Sequence, residues 1–77
     1  MNTKHSMGEA AKIQKIFESR IADGIPGIVG IGLSLNKKQD DLALNVQVER
    51  EAVAHSLPKH FRGLDVVVDV VGEARAL

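Results

Sequence analysis

The chain has 77 residues, ten Lys/Arg against ten Asp/Glu, and no cysteine, which bounds it to one small domain. A formally neutral chain projects no long-range field toward nucleic acid or an anionic membrane, and the missing cysteines exclude disulfides, thiolate catalysis and Cys-ligated zinc. Apolar residues at 44% suffice for a core, and 26% charged residues is ordinary for a globular domain.

Residues 1–6 are expected to form a flexible start. Lys4, Glu9 and Lys12 leave no apolar stretch there, so it does not read as a secretory leader. Ser6 and Glu9 have the spacing of a capping box, in which the hydroxyl accepts from the backbone three residues on and the carboxylate reaches back. Ala10, Ile13, Ile16, Phe17 and Ile21 then recur at three-to-four spacing, opposite Lys12, Gln14, Lys15, Glu18 and Ser19. This predicts an amphipathic helix over Met7–Ala22, closed by Asp23-Gly24.

Gly24-Ile25-Pro26-Gly27 reads as a tight turn. From Val29 the period becomes two: Val29, Ile31, Leu33 and Leu35 face one way, Gly30, Gly32 and Ser34 the other. After a polar turn over Asn36–Asp41, Leu42, Leu44, Val46 and Val48 alternate with Ala43, Asn45, Gln47 and Glu49, and the two runs make a β-hairpin. Ala52, Val53, Leu57 and Phe61 have helical spacing interrupted by Pro58, which predicts a short helix before the proline and one more turn ending at Gly63. Leu64–Val71 is a valine-rich strand, with Leu64, Val66, Val68 and Val70 on one face and Asp65, Val67, Asp69 and Val71 on the other. The longest mostly apolar run, Ile25–Leu35, is 11 residues with three glycines and a proline, whereas a spanning helix needs about 20 apolar residues. No membrane association and a cytoplasmic location are expected.

The order helix, strand, strand, short helix, strand predicts an α+β two-layer sandwich over residues 7–72, followed by a tail at 73–77. Both helices lie on one face of a three-stranded sheet. The predicted core is Ile13, Phe17 and Ile21 against Val29, Ile31, Leu33, Leu44, Val46, Val48, Val66, Val68 and Val70. The other sheet face is small and polar, with two valines out of place. Gly30, Gly32, Ser34, Asn45, Gln47, Val67 and Val71 on it form the candidate interface, together with the free strand edges.

The chemistry-bearing residues argue against catalysis. Phosphate loops run from a strand into a helix, whereas Gly24, Gly27, Gly30 and Gly32 follow a helix and enter a strand. His55 and His60 diverge on a helix, and no partner stands at ligand spacing, so no metal and no cofactor is expected. Ser6, Ser19, Ser34 and Ser56 include no nucleophile elbow. Asp65 and Asp69, four residues apart on a strand, stand roughly 13 Å from each other at about 3.3 Å per residue, too far to act on one bond. So small a domain also has little volume for a small-molecule substrate. A nucleic-acid platform wants aromatics and basic surroundings. The two phenylalanines have core spacing and the open face carries Glu49, Asp65 and Asp69.

From Ile25 onward the chain resembles a bacterial module that precedes trypsin-like serine peptidase domains. The resemblance is carried by Ile28-Val29-Gly30-Ile31-Gly32, Leu42–Val48, the Leu57-Pro58 step, Gly63, and the closing Val71-Gly72-Glu73-Ala74-Arg75-Ala76-Leu77. It covers about two-thirds of the chain and includes none of the family's catalytic residues, the peptidase part being absent here. What it implies is a fold and an adaptor-like, non-catalytic role. The expected function is therefore protein interaction or self-association, with a two-fold homodimer or another protein as partner. The alternatives are a regulatory or pro-domain-like partner of a separate serine peptidase and, more weakly, a nucleic-acid accessory protein.

Overall fold

A computed structural model describes residues 4–71. The expected tail at 73–77, and the closing stretch of the resemblance beyond Val71, lie outside the described residues.

The first helix, α1 (Met7–Arg20), starts where the sequence places it. The Glu9 N–H donates to Ser6 Oγ at 3.1 Å, and the Ser6 N–H donates to Glu9 Oε1 at 3.0 Å, so two otherwise unpaired helix-end donors are satisfied. The bond from the Ser6 backbone, then that with its side chain, holds the Glu9 carboxyl below its ordinary 4.5. The helix ends slightly before its predicted limit, and a 3-10 turn at Ala22–Gly24 carries the chain on. Gly27 then turns at φ 95°, where a Cβ would stand 2.7 Å from Val53 Cγ2. Only glycine combines that backbone conformation with so close an approach.

Four strands follow: β1 (Ile28–Leu35), β2 (Leu42–Val48), β3 (His60–Phe61) and β4 (Leu64–Val70), with a one-turn helix α2 (Glu51–Ala54) between β2 and β3. The β1–β2 hairpin closes over Asn36–Asp41 as predicted. Asn36 Nδ2 donates to Asp40 Oδ1 at 2.7 Å and its Oδ1 accepts from the Asp40 N–H at 3.1 Å. The sheet order is β1-β2-β4-β3, with β2 and β4 parallel and the other two pairs antiparallel.

The α+β layering is as expected, but among the described residues the sheet has four strands rather than three, and the helical turn expected before Gly63 is β3 instead. Arg62 at φ 51° and Gly63 at φ 91° are both left-handed, the signature of a two-residue hairpin turn that usually announces itself as Asn-Gly. With arginine in the first position the signal is hidden. The core prediction needs two corrections. Between Ile28 and Gly30 the β1–β2 register slips, so Ile28 and Val29 together face Val48. This bulge moves the phase by one residue, giving Ile28 the inward place and leaving Val29 59% exposed. Val70 is 49% exposed at the end of β4.

Phe17, Leu44, Val46, Val48 and Leu64 are fully buried, and Ala10, Val53 and Leu57 join them in one cluster. Both helices thus bury residues against the same sheet face. The Phe17 ring meets Phe61 edge-on, with centroids 5.2 Å apart.

Candidate functional site

The sheet registers assemble the face away from the helices. Ser34 stands beside Ala43 and Ala43 beside Asp65; Gly32 beside Asn45 and Asn45 beside Val67; Gly30 beside Gln47 and Gln47 beside Asp69. Gly30, Gly32, Ser34, Asn45, Gln47 and Val67 therefore share one surface. Val71 follows the end of β4, half-exposed, with its N–H on the Val48 carbonyl at 2.9 Å. The surface is more polar than apolar. Asn45 Nδ2 donates to Asp69 Oδ2 at 2.9 Å, Ala43 is fully buried between its neighbours, and Asp65 and Asp69 place two carboxylates on the face. Stacking one such face on another would set these acids together in a partly dry interface, an unfavourable arrangement.

The strand edges differ from that face. Backbone groups of alternate residues point to opposite sides of a strand, and two bonds fix the phase here. The Glu49 N–H reaches the Gly27 carbonyl and the Val71 N–H the Val48 carbonyl, each at 2.9 Å. On β2, then, Ala43, Asn45 and Gln47 address β1, and their partners Ser34, Gly32 and Gly30 address β2. The backbone groups of Ile31, Leu33 and Leu35 consequently point outward along the outer edge of β1, which has no strand partner among the described residues. Gln14 Nε2, from α1, donates to the Ile31 carbonyl at 3.2 Å and to Glu18 Oε2 at 3.1 Å.

The opposite edge is closed only at its start. β3 covers the start of β4, and the Lys59 carbonyl accepts from the Val66 N–H at 2.9 Å. Beyond it, β4 continues without a strand partner among the described residues. A groove of about 430 Å3 lined by Ala54, Leu57, Pro58, Val66 and Val68 flanks one side of this segment. Another of about 400 Å3, with Lys37, Lys38, Lys59 and His60, flanks the other.

One constellation was not legible in the sequence. His5 Nδ1 lies 2.7 Å from Asp41 Oδ2 and the His5 N–H donates to Asp41 Oδ1 at 2.9 Å, across 36 residues of chain. The Leu42 N–H reaches the same carboxylate at 2.8 Å. Burial pushes the Asp41 carboxyl up, but the bonds from the His5 ring, the His5 backbone and Leu42, with the His5 charge, outweigh it and hold the group below its ordinary 3.8. This ties the segment before α1, expected as a flexible start, to the hairpin loop. A hydrolytic triad adds a nucleophilic hydroxyl to such a pair. The neighbouring Ser6 hydroxyl is committed to capping α1.

His60 and Asp65 come within 3.5 Å on an exposed surface, where an ion pair contributes little. Among the described residues no three His, Asp or Glu side chains gather around one possible metal position, and no helix is long and apolar enough to cross a membrane. Set against known protein families, curated proteins and solved structures, the chain finds no match.

Proposed function

We propose that this chain is a non-catalytic interaction module that works by self-association through its sheet edge, as a two-fold dimer. The observation that carries this reading is β1: eight residues, Ile-Val-Gly-Ile-Gly-Leu-Ser-Leu, without charge or proline on an outer strand. Proteins that stay monomeric blunt such an edge by shortening it, charging it or covering it. The other edge has a two-residue strand and acidic side chains on β4, whereas among the described residues β1 has one glutamine side chain hydrogen-bonded across its edge. A domain of this size with no disulfide also gains only a thin margin from its own core, and association is a common supplement.

The test is sedimentation of the wild type across micromolar concentrations. A mass twice that of the chain supports the reading, and a monomer at high micromolar concentration refutes it. Val67→Lys separates the two surfaces, because it adds a charge to the open face while leaving β1 untouched. An edge dimer keeps its mass and a face dimer splits.

A further inference from the structure

Resting on that reading, we infer that β1 pairs antiparallel with β1 of a second copy in one register, with Gly32 on the two-fold axis. Ile31 then faces the partner's Leu33, and Val29 faces the partner's Leu35, each relation occurring twice by symmetry. The outward backbone groups of Ile31, Leu33 and Leu35 limit the hydrogen-bonded registers to those that match odd-numbered residues with one another. Centring on Ile31 pushes Leu35 against the partner's Gly27, whose carbonyl already serves Glu49. Centring on Leu33 leaves Val29 beside the hairpin loop. The Gly32 register is the one that leaves neither end of the strand unmatched.

Two features of the surface agree with it. The two large apolar side chains exposed on β1 are Val29 at 59% and Leu35 at 42%, and this register covers each with the other. Gly32 has open space where a Cβ would be, so nothing holds the strands apart at the axis, where a pair without hydrogen bonds brings Cα atoms to about 4.5 Å. The open part of β4 has no such self-complementarity. Lys59 occupies the place opposite Val66, so a two-fold pairing there can centre no earlier than Asp69, setting it directly against its own copy, and like charges so placed are destabilising. Gln14 does not forbid the β1 pairing, since the Ile31 carbonyl has a second lone pair.

The experiment combines solution mass with register. Val29→Glu and Leu35→Lys each alter an exposed side chain, so folding, checked by circular dichroism, should persist. Each should weaken the dimer about tenfold, with two mismatched pairs per dimer. The double variant Val29→Glu/Leu35→Lys should recover it, because each new acid then faces a new base. The chain has no cysteine, so Gly32→Cys reports the axis alone. Its copies should join as a disulfide dimer under mild oxidation, the expected spacing lying within the roughly 4.4–6.8 Å a disulfide spans. Ser34→Cys, facing the partner's Gly30, should not. A dimer whose mass ignores both single charge variants, or that links through Ser34→Cys and not Gly32→Cys, overturns the register while self-association stands. A wild-type monomer overturns both.

Discussion

Replacing Phe17 with alanine tests how the two layers are held together. The side chain is fully buried and sits edge-on to Phe61 at 5.2 Å, so its loss removes a whole ring from the core. Changes of this kind cost about 3–5 kcal/mol, of which roughly 0.5–1.5 kcal/mol belongs to the aromatic pair. At about 0.05–0.15 kcal/mol per residue the folded chain has roughly 4–12 kcal/mol in total. The variant therefore loses a large fraction of its stability and, at the low end, all of it. The chain has neither tryptophan nor tyrosine, so the assay is urea denaturation followed by far-ultraviolet circular dichroism. Wild type and variant must be compared at one protein concentration, because association adds to apparent stability. With a urea slope near 1–1.5 kcal/mol per molar, the midpoint should fall by about 2–5 M. Phe61→Leu, which keeps apolar volume but ends the ring contact, should fall much less. A Phe17→Ala midpoint equal to that of the wild type would refute this account of the core.

Gly27→Ala should destabilise by about 1–2 kcal/mol from the left-handed backbone alone, and further from its overlap with Val53; an unchanged melting temperature would refute both the left-handed turn and the close approach of Val53. The Asp41 carboxyl has a lowered pKa, so its contribution to stability is complete above its unfolded value and is lost as pH falls through its folded one. Asp41→Asn should therefore be destabilised at neutral pH, with the difference from wild type shrinking below about pH 4; a constant difference across acid titration would contradict the assignment. Gln14→Ala frees the Ile31 carbonyl. Its amide guards the edge, so sedimentation should show tighter dimerisation, by up to about thirtyfold for two hydrogen bonds near 1 kcal/mol each; weaker association would show that Gln14 supports the interface instead.

The sequence by itself determined the elements whose signals are local. Ser6 and Glu9 mark the start of α1 because capping chemistry acts over three residues. The alternation from Ile31 to Leu35 and from Leu42 to Val48 marks the hairpin because a strand has a period of two. Those same alternations placed Gly30, Gly32, Ser34, Asn45 and Gln47 on one face. What only the tertiary structure decided depends on residues distant in sequence. The bulge at Ile28–Val29 arises from pairing with Val48, and it gave Ile28 the packed position at the start of β1 that the alternation assigned to Val29. β3 is two residues long, too short to show a period, and it exists because Leu64 and Asp65 offer it an edge. The His5–Asp41 contact joins groups 36 residues apart that carry no pattern in common. Which strand edge stays open follows from the order β1-β2-β4-β3, because the hydrogen bonds of a sheet are satisfied between strands and its free edges are fixed only once every strand has chosen its neighbour.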